Sequence, residues 1–573
     1  MRRVAVMVFA TLATLPGPAW PLAPGTADAD PLAIGRRIYR EGVLPDGQLL
    51  RGLGPAGVVL AGAQAACATC HRRSGYGSSE GPIEVRAITG PSLFGERPAP
   101  LAPTIAPAVT TPQVGVSAAE AARAKAIALR SARAAAFAGA RQRPIYDDAS
   151  VARAVLQGID VSGRRMHASM PRYGLEQDAM ESLTAYLKAL SAQVSPGVTE
   201  DTVHFATVIQ PGTDPAQRQA LLDVLQAFVQ DRNQSQRVEV RREQAGQVHL
   251  GRVYRQWVLH VWDLSGAADT WGRQLEAYNT RQPVFALISG LGQADWRPIH
   301  AFSERFELPC IFPQTDVPVL SEHNFYTVYL SRGVTLEAQA LARFLKIEGG
   351  RGPVIQVYRR EGASAAAAEA FRLAWGAAAG TAPVDMVPEG SLGAAFWQKL
   401  AVHNPAARLV LWLPSRDLDG AQALSASGSQ VKAIYLSSSL NADPRSGLAA
   451  DGEGRVRLVY PQDLPAAREA RVEMVRRWLR KNGITPSDEK VQMNAYLAAT
   501  VTGMVMMHGK DTYSREFLLE RMEHRLGTAV ETSIYPHLSL GPGQRYASKG
   551  SYIMRVGGAD ERQLTPVSDW IVP

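Results

Sequence analysis

Cys67-Ala68-Thr69-Cys70-His71 is the stretch of this 573-residue chain whose residue types and spacing specify a chemistry. It holds two of the three cysteines, one short turn apart, with an imidazole directly behind. Two thiols so placed can form thioethers with the two vinyl groups of a haem, and the adjacent imidazole then falls on the iron. A redox Cys-x-x-Cys sits on a thioredoxin-like βαβ unit, which the flanks do not suggest. Structural zinc needs four ligands, and no partner pair lies nearby. The motif therefore predicts one covalent haem c, with Cys67 and Cys70 as its anchors and His71 as an iron ligand. Cys310, in the apolar context LPCIFP, is left as a buried, inert thiol.

The elements around the motif set its context. MRRVAVMVFATLATL opens with a positive pair and an apolar run too short to span a bilayer, and small residues follow at candidate cleavage points. Residues 1–29 read as a signal peptide, which places the mature chain in the periplasm with no membrane span after cleavage. The net charge of +8 is spread along the chain, apart from the run Arg471 to Gly483, which reads as a solvated helix face. No nucleic-acid partner is expected. Residues 30–195 form one compositional unit. It opens on the helix pattern DPLAIGRRIYREG, closes on EQDAMESLTAYLKALSAQ, and contains an Ala/Pro-rich insert over about 98–143. The HRRSGYGSSEG run reads as a turn beside the haem edge, and residues 196–202 read as a linker.

With these letters in place, the first unit resembles the class I cytochrome c family. Gly35 and Tyr39 fit its first helix, and Tyr186 and Leu187 the last helix that packs across it. Gly90-Pro91-Ser92-Leu93 resembles the Gly-Pro-x-Leu after the haem motif, which implies that the Pro91 carbonyl orients His71. Met170-Pro171-Arg172-Tyr173 resembles the loop that supplies the sixth iron ligand, which implies Met170, with Met166 and His167 as near rivals. A thioether ligand raises the iron potential, whereas bis-histidine ligation would lower it.

From Val203 to Pro573 the texture changes to short β-rich runs alternating with helical patterns of 10–18 residues, which predicts parallel sheets covered on both faces. The units are too many for one sheet, so two α/β lobes are expected. VHFATVIQPGTDPAQRQALL, PVFALISGLG, ELPCIFPQTD, FYTVYLSRGVTLEAQALARFLK and the closing LSLGPGQRYASKGSYIMRV resemble, in order and texture, type I periplasmic binding proteins of the branched-chain amino-acid and amide receptor group. The fold class implied for the whole chain is an all-α cytochrome c domain followed by a two-lobed α/β binding-protein domain.

Such folds hold a small ligand between lobes, with contacts from loops at strand C-termini. Those loops offer Ser289, Gly290, Thr315, Ser331, Tyr358 and Ser415, with Asp316, Arg359 and Ser437 nearby. Trp257, Trp262, Trp271 and Trp296 read as an aromatic cleft lining or, for at least half of them, as core. The eleven histidines are spread singly, and no nucleophile elbow, phosphate loop or HExxH appears, so no catalyst is expected. The leading expectation is a periplasmic c-type cytochrome joined to a solute-binding domain, with a redox protein and a small ligand as partners. Two alternatives stand beside it: an accessory electron acceptor for a periplasmic quinoprotein-type dehydrogenase, and the solute-binding component of an ABC-type uptake system.

Overall fold

The computed structural model describes residues 30–80, 83–95, 144–244 and 254–573, apart from short stretches at 322, 350–351, 377–381, 425–428, 442–447, 449–453, 508–512, 528–529, 531, 542 and 558–563. The expected signal peptide (1–29) and the Ala/Pro-rich insert lie outside the described residues. The chain divides into two compact units, Met1–Ala192 and Gln193–Pro573.

In the first unit, the helix Pro31–Glu41 starts at Asp30, whose carboxylate accepts the Leu32 N–H at 3.0 Å. It stops at Gly42, in the left-handed region at φ 66°. Its Gly35 lies against the helix Gln177–Ala189 so closely that a Cβ would sit 2.0 Å from the Ser182 carbonyl oxygen. Only a hydrogen fits there. One turn on, the Tyr39 and Tyr186 rings meet at 5.3 Å, and Arg40 Nε donates to Tyr186 Oη at 3.2 Å. A third helix, Asp148–Gln157, begins with a reciprocal cap between Asp147 and Ser150.

The unit is not all-α. Arg51–Leu53 pairs antiparallel with Val59–Ala61 on one side and Arg172–Tyr173 on the other, and Ser78–Glu80 pairs with Ile83–Val85. Glycines allow this: Gly57 turns the chain at φ 78°, and Gly52 faces Tyr173 where a Cβ would meet its ring at 2.8 Å. The run after Cys67–His71 turns over Arg72–Gly77 and leads into this small hairpin. Arg72, Gly75 and Gly77 all take positive φ.

Among its described residues the second unit has two sheets. The five-stranded sheet runs Thr327–Val328, Cys310–Ile311, Ala286–Ile288, Thr202–Ile209, Gln256–Asp263, all parallel. One face packs on helices Pro215–Gln244, Pro465–Lys481, Glu489–Met507 and Arg515–Leu526. The other face packs on Trp271–Arg281 and Arg297–Arg305. The seven-stranded sheet runs Val384–Met386, Val354–Tyr358, Arg408–Trp412, Ala433–Ser437, Val456–Tyr460, Tyr552–Val556, Leu564–Pro566, with the last two strands antiparallel. Three crossovers join the lobes: one enters helix Gly333–Glu348, one returns through Pro461 and Gln462, and one leaves near Tyr546. The first and third lie side by side, with Ala547 N–H donating to Tyr329 O at 3.0 Å and Ser548 N–H to Leu330 O at 2.7 Å.

The residues read as a linker are built into the second unit. Ser195 N–H donates to Tyr513 O at 2.8 Å, and Val198 bridges Val203. Arg515, 6% exposed, donates to the carbonyls of Pro196, Val284, Phe285, Phe306 and Glu307. The four tryptophans are all buried core: Trp257 packs on Phe205 and Phe228, and the other three cover the opposite sheet face. The basic run at 471–480 is neutralised where it stands, by Arg471–Asp463, Arg476–Glu489 and Arg480–Glu473 pairs, while Val472, Val475 and Leu479 face the core. Among the described residues no helix is long and apolar enough to cross a membrane.

Candidate functional site

The first site is a single helical turn, Cys67–His71, pinned at its sides. Thr69 Oγ donates to Ala63 O at 2.8 Å, and Ser78 Oγ donates to Cys70 O at 2.9 Å. Tyr39 Oη reaches over from the first helix to Arg72 O at 2.7 Å. Cys67 and Ala68 rest on the unit's apolar core, as do Met166 and Met170 from the loop before the last helix. Tyr173, just beyond that loop, has its phenol pushed up by burial and then by Cys67 and Cys70, so the loop and the cysteines face one another. Burial pushes the Cys67 thiol up to about 12. Redox Cys-x-x-Cys thiols shift the opposite way, so the microenvironment suits a thiol consumed in a thioether better than an exchanging one.

His71 Nδ1 lies 3.0 Å from the Arg86 carbonyl oxygen. A carbonyl only accepts, so Nδ1 carries the proton and Nε2 keeps its lone pair for a metal. Burial lowers the His71 pKa, with the Arg86 bond opposing it, which keeps the ring neutral. The orienting carbonyl is therefore Arg86, not the expected Pro91, whose oxygen accepts the Gly95 N–H at 3.2 Å inside the turn Gly90–Phe94. Arg86 follows strand Ile83–Val85, and that hairpin carries its carbonyl to the ring. On the far side, Arg172 donates to the carbonyls of Met170 and Met166 and so fixes the loop backbone. His167 is exposed and turned to Ser169 Oγ at 2.8 Å, so Met170 and Met166, which rest on the core, are better placed to ligate. The donor set of two thiols, one neutral imidazole and a core thioether fits haem c.

The second site is the cleft between the lobes of the second unit. Its lobe-one wall comes from the ends of strands and the start of helix Glu489–Met507: Gln314, Thr315, Asp316, Lys490, Asn494 and, from a later loop, Tyr535. Ser438 and Ser439 form the facing wall, and Ser331, Pro461 and Gln462 on the crossovers form the floor. Lys490 Nζ stands 3.6 Å from Asp316 and 3.5 Å from the Ser439 carbonyl, reaching both lobes. Burial works against its charge, but Asp316 foremost, then Tyr535, Glu337 and Asp488, outweigh this and hold the ammonium above its usual range.

Behind the serines lies Glu337, fully buried. Its Oε1 accepts from Ser438 Oγ at 3.0 Å, Ser439 N–H at 3.0 Å and Ser439 Oγ at 2.7 Å. Burial pushes its carboxyl up, against the pull of Ser437, Ser439 and Ser438. Because both hydroxyl protons point at Glu337, the two serines offer lone pairs to the cleft. Thr315 and Ser331 do the reverse: their oxygens accept the Val317 and Gly333 N–H groups, leaving hydroxyl protons to donate.

Of the sequence-predicted ligand contacts, Thr315 and Ser331 line this cleft. Ser289 stands one residue behind it, accepting from Gln314 Nε2 at 3.2 Å, and Gly290 turns at φ 120° under Trp296. Tyr358 and Ser415 are not among the lining residues. Ser415 donates to Asn441 at 3.1 Å, and Arg359, beside Tyr358, pairs with Asp417 at 2.8 Å. Lys490, Asn494, Tyr535 and Glu337 were missed because they come from helices and a late loop, where no strand end marks them. The LSSSL run at 436–440 was a readable signal.

No family model matches the chain, and no curated protein matches it in sequence. A branched chain amino acid ABC transporter from Thermus thermophilus, solved with bound valine, aligns over 65% of this chain and 97% of its own at 12% identity and TM-score 0.50. A leucine binding protein from Thermotoga maritima aligns over 65% of this chain and 99% of its own, at 15% identity and TM-score 0.46. A putative branched-chain amino acid ABC transporter from Rhodospirillum rubrum covers 64% of this chain and 100% of its own, at 17% identity and TM-score 0.46. The Thermus structure shows that about two thirds of the chain has the type I periplasmic-binding-protein fold, two α/β lobes joined by crossovers.

Proposed function

We propose that the protein is an exported solute-binding protein that carries a covalent c-type haem on its first unit, acting in electron transfer and ligand binding rather than as a catalyst. The observation that carries the haem half is the neutral His71 ring. It is held by the Arg86 carbonyl beside Cys67 and Cys70, with Met170 resting on the same core. Haem bound there would supply single-electron transfer; the chain's own part is to anchor it through two thiols, aim Nε2 and exclude water. The cleft supports the binding half: its donors and acceptors from both lobes suit a small polar ligand. The periplasm is the compartment where such a cofactor and fold meet.

Native mass spectrometry of protein exported from a host that matures c-type cytochromes, repeated after denaturation, tests both halves. One haem mass retained under denaturation is the expected result, together with a small mass lost on denaturation. No retained haem overturns the first half.

A second reading, delivery of solute to a membrane transporter, is favoured by one observation: the Thermus structure sharing the fold is described as an ABC transporter protein with bound valine. Accumulation of the cleft ligand in cells lacking and carrying the gene separates the two; uptake lost with a haem-free variant unaffected supports delivery.

A further inference from the structure

The loop that carries Met166, His167 and Met170 is held by one side chain from outside it. Arg172 stands in the strand that follows, in register with Leu53 of the neighbouring strand. Its guanidinium runs back along the loop, where Nη1 donates to Met170 O and Nη2 to Met166 O at 3.4 Å. One planar fork thus ties the first residue of the loop to the last. Gly158, in the left-handed region at φ 67° where helix Asp148–Gln157 ends, makes the room, because a Cβ there would fall on the Arg172 guanidinium. The Gly158 carbonyl in turn accepts the Met166 N–H at 2.8 Å. Inside the loop, Met170 N–H donates to His167 O at 3.1 Å. His167 Nδ1 accepts the Ser169 N–H at 3.2 Å and lies 2.8 Å from the Ser169 hydroxyl. That nitrogen is taken as an acceptor, so the ring proton sits on Nε2 and neither nitrogen offers a lone pair.

We propose that Arg172 is a positioning residue that selects the Met170 thioether over the His167 imidazole as sixth iron ligand, an inference that rests on the haem reading above. The two rivals are three residues apart on one short loop, and a loop free to turn would offer either. With the carbonyls of Met166 and Met170 drawn to the guanidinium, the backbone is fixed at both ends of the loop. Both thioethers then stay on the core where Cys67 also rests, and His167 stays outside in solvent. To ligate, His167 would have to give up Ser169, turn inward and shed a ring proton, and the turn closed by Met170 N–H would go with it. The planar fork matters here rather than the charge. A lysine keeps the charge, but its ammonium lacks the rigid fork that spans the two carbonyls. The choice has a readable consequence, since a thioether ligand raises the iron potential and a second imidazole lowers it.

The test compares full-length, haem-loaded wild type with Arg172→Met, Arg172→Lys and the double variant Arg172→Met, His167→Ala. The readouts are denaturation-resistant haem mass, the thioether-to-iron charge-transfer absorption of the ferric protein, and the reduction potential. Arg172→Met is expected to keep its covalent haem, lose the charge-transfer absorption at least tenfold and fall in potential. Arg172→Lys is expected to follow it. The double variant is expected to regain the absorption, because no imidazole remains on the loop to compete. Unchanged absorption and potential in Arg172→Met overturn the proposal, as does wild-type absorption in Arg172→Lys, which would assign the effect to charge. Absorption lost in Arg172→Met and not regained in the double variant overturns it too. If the variants fail to fold, the wild type decides: bis-imidazole absorption there, or a freely exchanging Arg172 guanidinium by NMR of labelled arginine, overturns the proposal. Absence of covalent haem from the wild type overturns the haem reading itself, and the mass tells that failure apart.

Discussion

The two candidate sites are built in opposite ways. The first site puts the two thiols and the imidazole proposed to hold a haem into five consecutive residues, and only the opposing methionine and the Arg86 carbonyl come from elsewhere. The interlobe cleft draws single residues from segments between Gln217 and Tyr535. A site written in consecutive letters gets its geometry from one helical turn, so its chemistry is all or nothing. A site gathered across a fold shares its work among many weak contacts, and each can be lost with a graded effect.

The contrast is sharpest for the double change Cys67→Ala, Cys70→Ala, which is expected to abolish denaturation-resistant haem entirely, read as the loss of one haem mass. Retained covalent haem would break the comparison at its root. Next in size is Gly35→Ala. Its Cβ would lie 2.0 Å from a backbone carbonyl of the crossing helix, and forcing the helices apart should cost about 3 kcal/mol. Chemical unfolding of the first unit, followed by far-UV circular dichroism and haem absorbance, checks this.

In the cleft, Lys490→Met removes a partly exposed pair with Asp316, at 3.6 Å with side chains 39% and 25% exposed, and should lower stability by less than about 1 kcal/mol. Affinity for the ligand identified by native mass spectrometry should nevertheless fall at least tenfold by calorimetry. A stability loss as large as that of Gly35→Ala would show that the cleft is not graded.

The smallest effect is a pH slope. The Glu337 carboxyl is raised above its ordinary value of 4.5, so the folded state holds the proton more tightly than the unfolded one. Its contribution is greatest at low pH and is lost as pH rises from 4.5 through the folded-state value. Urea unfolding across that window should show a shallower decline in Glu337→Gln than in the wild type; parallel slopes would assign the decline to other groups.

Much of this organisation was legible in the letters. The helices Pro465–Lys481, Glu489–Met507 and Arg515–Leu526 are of this kind, because long apolar periodicity is a local signal. Gly35 and Tyr39 entered only through a family resemblance, and the structure places both where the first and last helices of the unit cross. The Arg86 carbonyl was not legible, since a backbone oxygen has no letter and its position depends on the hairpin at 78–85. The strands of the first unit were hidden too, because each is only two or three residues long and one pairing, Gly52 with Tyr173, spans more than a hundred positions. Thr315 and Ser331 were readable as strand-end residues. Lys490 was not, because only tertiary packing brings a helix start to a cleft.

Arg515 has a consequence in time as well as space. It donates through Nη2 to Pro196 and through its backbone to Ser195 Oγ, partners 319 and 320 residues earlier. Contacts of such separation form late, after the long loop between them has closed. A chain emerging N-terminus first has all of its first unit outside, from Gly35 to its partner Ser182, long before Arg515 arrives. The segment 195–197 thus lacks its Arg515 contacts while the first unit completes itself, and the last helix of lobe one then locks it. The order of assembly this sets is first unit first and interlobe cleft last.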